Sequence, residues 1–241
     1  MRNVLLTLLI SICSIFSAQS QDMGLSFSFF FPKNGDFSTP ISPFSIRGLG
    51  FNFTNFLGVQ TGASLYRMSG MNVTELPFES SKPIVGPNFT LLIPAELVIQ
   101  LSAGNLELNL KGGGFFFYSM GQKLNYGNLD RAIRDYENLE VLNSDFTFDN
   151  KPGFGYLFGT ELVVYLNNGY GVSLEGNYYI GGANLNLAGS YLGYDATGTS
   201  LQKNVEYKDS KVDFTGLEVA IGIIMSGGGG GGPKKQKKRR R

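Results

Sequence analysis

The feature that most constrains this chain of 241 residues is a series of eight stretches in which apolar and polar side chains alternate. The stretches are residues 23–31, 44–54, 57–67, 88–101, 105–118, 153–166, 170–181 and 211–225. Alternation with a period of two is the pattern of a β-strand whose two faces meet different surroundings. Each stretch is close to the length that a tilted strand needs to cross a bilayer. The pattern predicts an all-β fold, an eight-stranded antiparallel transmembrane β-barrel.

The links between these stretches are alternately long and short. Asn55–Phe56, Ser102–Gly104 and Asn167–Gly169 fit tight hairpin turns, whereas the other four links have about 12, 20, 34 and 29 residues. In bacterial barrels the short turns face the periplasm and the long loops face the outside. We therefore expect short periplasmic turns, long extracellular loops and both termini in the periplasm.

The first 20 residues predict export. Arg2 provides a basic start, residues 4–16 are apolar but too few to span a bilayer, and Ala18 and Ser20 are the small residues that signal peptidase needs. We expect a signal peptide of residues 1–20, cleaved after Ser20, and a mature protein in the outer membrane. Cys13, the only cysteine, lies in this segment, so the mature chain has no disulfide and no thiolate metal ligand.

The two faces of the fifth stretch differ in polarity. Leu106, Leu108 and Leu110 share one face, and Glu107 and Lys111 lie on the other. A soluble lipocalin-like barrel would turn the apolar face inward. Because the chain carries an export signal and its apolar stripes are continuous, we expect these stripes to face lipid.

Acidic residues recur on the predicted lumen face. One glutamate lies on each of the last five strands, and we expect all five near the periplasmic ends: Glu96, Glu107, Glu161, Glu175 and Glu218. The candidate counter-charges are Arg47 and Lys111. One interpretation is an internal polar network, because the lumen of an eight-stranded barrel is filled by side chains and buried carboxylates need partners. The alternative is a cation site or a narrow cation path.

The C-terminal segment is the most particular feature of the chain. Ser226 and six glycines form a flexible linker, and a basic segment follows Pro233. Its charged residues are Lys234, Lys235, Lys237, Lys238, Arg239, Arg240 and Arg241. Without these seven and Arg2, the 20 basic residues fall to 12 against 19 acidic ones, so body and tail have opposite charge.

Three interpretations of this basic tail remain open. It is a solvated end near anionic headgroups, or a peptide that docks an acidic periplasmic or outer-membrane protein, or a segment that folds back onto the barrel's own acidic mouth. Nucleic acid is not expected as a partner, because export removes the chain from it and the tail lacks aromatic stacking residues.

One long link contains a helical pattern. Its apolar residues have helical spacing: Leu129, Ala132, Ile133, Tyr136 and Leu139. Asp130 and Arg134 are placed for an i, i+4 ion pair. We expect a short amphipathic helix at the outer mouth, either as a lid over the rim or as a surface that captures a ligand.

Catalysis is not expected. The chain has no histidine, so a Ser-His nucleophile is impossible, and without mature cysteine there is no recognisable metal cluster. Its glycine runs lie in strands with no following helix, so they do not form a phosphate loop. We predict no enzyme activity, no cofactor and no metal.

Four segments carry a family resemblance: the end of the leader (SAQSQ), the first strand (GLSFSFFF), the unit GLGFNFTNFLGVQTGASLY and the segment LIPAELVIQL. They resemble the small OmpA/PorT-like outer-membrane β-barrel proteins of Bacteroidota. The resemblance implies eight strands, assembly by the barrel-insertion machinery and no shared activity. It breaks at the end, because many barrels finish on an aromatic residue, whereas Met225 and then a tail stand here.

The predicted organisation is a signal peptide (1–20), an outer-membrane barrel (21–225) and a linker with a basic periplasmic tail (226–241). The predicted function is structural: the barrel, surrounded by outer-membrane lipid, holds the tail at the periplasmic face to dock a secretion or assembly complex. The alternative is a small cation-conducting or ligand-binding barrel that uses its glutamate-lined lumen and outer loops.

Overall fold

The computed structural model describes residues 23–34, 39–166 and 169–225. The predicted signal peptide, the linker and the basic tail lie outside the described residues, as do positions 167 and 168 of one predicted turn.

The described residues form eight long barrel strands, five shorter strands and one helix. In chain order they are β1 (Met23–Pro32), β2 (Ile41–Asn52), β3 (Leu57–Met68), β4 (Asn72–Thr74), β5 (Asn88–Ala103), β6 (Leu106–Met120), α1 (Tyr126–Glu137), β7 (Val141–Thr147), β8 (Gly153–Tyr165), β9 (Tyr170–Asn184), β10 (Leu187–Tyr194), β11 (Ser200–Tyr207), β12 (Lys211–Asp213) and β13 (Gly216–Met225).

Eight strands form a closed antiparallel barrel in the order β1, β2, β3, β5, β6, β8, β9 and β13. The barrel closes where β13 pairs with β1 along its whole length, from Met23 with Met225 to Pro32 with Gly216. Closure pairs both edges of the sheet, which is the condition for strands to lie in hydrocarbon. The predicted fold class is confirmed.

The predicted last strand differs in one respect. The stretch 211–225 is divided, because the chain leaves the ladder between β12 and β13, where the Thr215 amide donates to the Asp213 side chain. β12 pairs with β9 on one side and with β4 on the other. This break escaped the sequence analysis because the alternation continues through it: Val212, Phe214 and Glu218 all face inward.

The barrel has a short-turn end and a long-loop end. At the short-turn end β2 and β3 are joined by residues 53–56, and β5 and β6 by Gly104 and Asn105, with Gly104 at φ +67°. Glycine adopts this left-handed conformation without steric cost. The first residue of β1 and the last residue of β13 lie at this same end.

The long-loop end carries an ordered cap that we define as α1, β7, β10 and β11. The three strands form a separate antiparallel sheet in the order β11, β10, β7. The sequence analysis expected only a helix here and missed this sheet, because its strands have only seven or eight residues and the alternation is broken in β11. None of the helices in the described ranges is long and apolar enough to span a membrane.

The helix α1 begins and ends earlier than the predicted pattern. Leu129, Ala132 and Ile133 are buried as expected, but Asn138 is in the left-handed conformation and ends the helix before Leu139. The predicted ion pair does not form: Asp130 accepts a hydrogen bond from the Ser144 hydroxyl, and Arg134 Nε lies 3.6 Å from Asp135 Oδ1. Tertiary contact with β7 has replaced the local pairing.

The segment after β3 closes the long-loop opening. β4 follows β3 in the chain but pairs with β12, which belongs to the opposite wall. Its neighbours Met71, Ile84 and Val85 are buried in the main core, together with Leu129 of α1. The lumen is therefore covered at this end.

Candidate functional site

The outer wall of the barrel is apolar and the lumen is partly polar. Leu106, Leu108 and Leu110 are 38–44% exposed on the outside, whereas Glu107 and Lys111 are 6–7% exposed inside. In water such a wall would be a large uncovered apolar surface, but in hydrocarbon it is matched to its surroundings. The fold is that of a transmembrane β-barrel.

The lumen contains an ionic cluster, which we define as the seven predicted residues. All seven are at most 7% exposed: Arg47, Glu96, Glu107, Lys111, Glu161, Glu175 and Glu218. They come from β2, β5, β6, β8, β9 and β13, so residues 171 positions apart in sequence share one interior. A burial this complete requires each charge to find partners.

The two cations pair with three of the glutamates. Arg47 Nη2 lies 2.5 Å from Glu218 Oε1, and its Nε lies 3.9 Å from Glu175 Oε2. Lys111 Nζ lies 2.8 Å from Glu161 Oε2 and 2.9 Å from Glu175 Oε1. Glu175 therefore lies between both cations and links the two pairs.

Glu218 is the centre of this network. In addition to Arg47, it accepts hydrogen bonds from the hydroxyls of Tyr66 and Tyr179 and from Asn177 Nδ2 at 2.9 Å. Charge-assisted bonds of this kind are the strong class of hydrogen bond. Four donors from three other strands thus converge on one carboxylate that has no exposed surface.

The network includes neutral residues that the sequence analysis did not select. Asn109 Nδ2 donates to Glu107 Oε1 at 3.0 Å and to Glu161 Oε2 at 3.3 Å, and Asn177 joins Glu175 to Glu218. The signal for both asparagines was present, because each lies two residues from a selected glutamate and so on the same strand face. Tyr179 lies on that same face of β9, four residues from Glu175, whereas Tyr66 on β3 had no such signal.

Two of the predicted glutamates differ from the expectation in their position or their partners. Glu218 is the third residue of β13 and lies toward the long-loop end of that strand, whereas all five glutamates were expected toward the short-turn ends. Strands are staggered in a tilted barrel, so equal depth does not mean equal distance from a strand end. Glu96 takes part in no ion pair with another described residue, and its Oε1 has no hydrogen-bond partner among them.

An aromatic cluster fills the lumen toward the long-loop end. Its members are Phe30, Tyr66, Phe115, Phe117, Tyr179 and Phe214, all at most 4% exposed. Phe214 lies at the centre: its ring centroid is 4.6 Å from that of Phe30 and 4.7 Å from that of Phe117, both stacked. These distances are normal for close aromatic packing and leave no space for water between the rings.

A smaller apolar cluster lies at the short-turn end. Val163, Tyr165 and Ile224 are buried together there, and the Tyr165 hydroxyl lies 3.4 Å from Glu107 Oε2. The lumen therefore consists of an aromatic layer, an ionic layer and this apolar contact. In the described part of the chain, no three His, Cys, Asp or Glu side chains are arranged to hold a metal ion.

Comparisons with known proteins add the following. Neither a protein-family model nor a curated protein matches the sequence. Three solved structures are similar in shape, each covering 86% of this chain. The outer membrane protein OprG from Pseudomonas aeruginosa has 10% identity, 96% of its own chain covered and a TM-score of 0.45.

Two further solved structures have comparable sequence identity and somewhat lower TM-scores. The attachment invasion locus protein Ail of Yersinia pestis has 12% identity, 96% of its chain covered and a TM-score of 0.38. A major outer membrane protein from Thermus thermophilus has 10% identity, 99% covered and a TM-score of 0.43. The function of this chain must be argued from its own residues.

Proposed function

We propose that this protein is a non-conducting barrel that serves as a scaffold in the outer membrane. Its basic C-terminal segment then docks an acidic partner protein. The observation that carries the proposal is the filled lumen. Every ionic-cluster residue is nearly inaccessible to solvent, and the aromatic cluster closes the space beyond it.

The packing argues against the alternative of a cation path. A conducting path needs carboxylates that water and ions can reach, and sites that are weak enough to release the ion. Here Glu161, Glu175 and Glu218 are already held by Lys111 or Arg47. An ion would have to displace these pairs and then pass the aromatic layer.

The position of Met225 supports the tail as the docking element. β13 ends at Met225 on the short-turn end of the barrel, beside the start of β1. If the short turns face the periplasm, as in other bacterial barrels, the linker and the basic residues 234–241 emerge there. The seven-residue linker then gives a reach of about 15 Å. We propose assembly by the barrel-insertion machinery and a Bacteroidota-type barrel on the sequence resemblance alone.

The experiment is a crosslinked pull-down from native outer membranes. Three forms are compared: the full chain, a chain that ends at Met225, and a chain in which all seven basic tail residues are replaced by glutamine. Recovery of one envelope protein by the full chain alone supports docking through tail charge. A partner list that is the same for all three forms would overturn it.

A second function, recognition at the cell surface, is favoured by one feature of the cap. Val141, Leu192 and Tyr194 are 41–62% exposed, and Val141 is directly opposite Tyr194 in the sheet. Apolar side chains grouped on an ordered surface are typical of a contact site. Replacing Leu192 and Tyr194 by serine should abolish surface binding to a host or neighbouring cell without changing the tail pull-down.

A further inference from the structure

The lipid-facing wall contains an apolar groove of about 570 Å³. Two cross-strand rows of outward residues from β5, β6 and β8 line it, together with Thr61 of β3: Ile93, Phe116 and Phe154; Ala95, Gly114 and Tyr156. Ala95 and Gly114 form the floor. Phe116 and Phe154 form one wall, with ring centroids 5.4 Å apart.

The floor glycine, Gly114, is not required by the barrel itself. A Cβ at its neighbour Gly113, which faces the lumen, would overlap the carbonyl oxygen of Ala95. At Gly114 it would meet only the Gly155 carbonyl oxygen at 3.5 Å, which is ordinary contact. Glycine in a strand interior costs about 0.5–1 kcal/mol relative to alanine. The fold carries that cost at Gly114 without a packing reason, and the groove floor is the result.

The polar group at the edge of the groove is satisfied. The Thr61 hydroxyl donates to the Pro94 carbonyl at 2.6 Å, where the pairing of β3 with β5 is interrupted. The hydroxyl of Tyr156 belongs to a side chain that is 77% exposed on the outer wall. An apolar chain can therefore lie along the Thr61 edge of the groove without leaving the Thr61 hydroxyl unpaired.

A cation lies on the same wall toward the long-loop end. Arg67 faces outward on β3, six residues beyond Thr61, and its cross-strand neighbours are Ile41 and Phe89. Arg67 is exposed, and no acidic side chain of the described residues forms an ion pair with it. Arginine at such a place matches the geometry of a phosphate group.

The spacing of cation and groove fits a lipid. Six residues span about 20 Å along a strand. In a barrel whose strands are tilted by about 40°, this corresponds to about 15 Å of depth. Half of the hydrocarbon core is also about 15 Å thick. A chain whose headgroup is at Arg67 therefore ends in the groove.

We propose that this wall is a binding site for a phosphate-bearing, anionic membrane lipid, with the phosphate on Arg67 and an acyl chain in the groove. The inference takes from the proposed function only that the long loops face outward, which places the lipid in the outer leaflet. Charge complementarity favours this occupant over a second copy of the chain, because the same wall would bring two Arg67 side chains together.

The test uses fluorescence quenching in vesicles. The chain has no tryptophan, so Tyr156→Trp places a single fluorophore in the groove. Phe29→Trp is the matched control, because Phe29 is also an aromatic residue that faces lipid, but it lies on the opposite wall, outside the groove. The full-length protein is inserted into lipid vesicles that contain one of two quenchers, brominated phosphatidylglycerol or brominated phosphatidylcholine.

The groove tryptophan should prefer phosphatidylglycerol by about five-fold, the ratio that one basic residue near an anionic surface supplies. The control should show a ratio near one, and Arg67→Gln should bring the groove ratio to one. Gly114→Leu should lower quenching by both lipids, with heat-modifiability confirming insertion of every variant.

Equal ratios at the two tryptophans, or a ratio unaffected by Arg67→Gln, would overturn the lipid site. Crosslinking of a Tyr156→Cys variant into a dimer would also overturn it, in favour of a second copy. No envelope partner is present in the vesicles, so either failure leaves the docking proposal for the tail untouched.

Discussion

Arg47 and Glu218 meet inside the barrel, with Nη2 and Oε1 2.5 Å apart, although 171 positions separate them in the chain. Arg47 lies on β2 and Glu218 on β13, and β1 pairs with both of these strands. The ion pair therefore spans the seam at which the barrel closes. It joins the two ends of the sheet by side chains as well as by the backbone ladder.

Glu218→Gln should destabilise the barrel strongly. The substitution keeps the size of the side chain but leaves Arg47 buried without this charge, a change that typically costs about 3–5 kcal/mol. Urea unfolding in detergent micelles measures the free energy of unfolding. Glu206→Gln is the control, because its pair with Lys208 is exposed and is worth less than about 1 kcal/mol. Similar losses in the two variants would refute the role of the seam pair.

The wild-type barrel should be silent in planar bilayers. The ionic pairs and the stacked rings of Phe30, Phe117 and Phe214 leave no continuous water path. Single-channel recording at high salt is the measurement, with a known porin as the positive control. Steady cation-selective openings would contradict the filled lumen and would revive the glutamate-lined path.

Two neighbouring glycines should respond oppositely to alanine. Gly113→Ala places a methyl group against the Ala95 carbonyl, so we expect impaired assembly or a loss of about 1–3 kcal/mol from overpacking. Gly112→Ala places its methyl group in ordinary contact with the Leu157 carbonyl oxygen at 3.9 Å, so it should be neutral or stabilising by about 0.4–1 kcal/mol, because the unfolded chain loses freedom. Heat-modifiability measures the assembly of each variant, and the urea midpoint measures its stability. Equal values for the two variants would contradict the difference in space around Gly112 and Gly113.

The cap should loosen in acid. Glu137 of α1 accepts from Lys203 Nζ at 2.8 Å and from the Tyr191 hydroxyl at 2.6 Å, and these hydrogen bonds lower the pKa of Glu137. A lowered folded-state pKa contributes stability above the unfolded value, near 4.3, and the contribution is lost as pH falls through the folded value.

Hydrogen exchange of the α1 amides between pH 3 and pH 6 measures this loosening of the cap. Protection should fall toward the acid end in the wild type. Glu137→Gln should remove that change, since glutamine does not titrate. Protection that falls equally in both forms would assign the effect to other groups.

The candidate site was only partly readable from the sequence. The alternation of Glu107, Asn109 and Lys111 with leucines placed those side chains on one face, because side chains alternate along any strand. Which glutamate meets which cation was not readable, since the partners lie on strands whose relative stagger the sequence does not state. For the same reason the sequence did not reveal that Glu218 lies toward the long-loop end of β13.

The sequence by itself determined the fold class, the polarity of the two faces and the end at which the short turns lie, because strand periodicity and link length are local properties. Only the tertiary structure decided that Phe214 stacks between Phe30 and Phe117, that Glu218 accepts from four donors and that Gly114 leaves a groove in the outer wall. These depend on barrel closure and strand stagger, which bring together residues that have no local relationship.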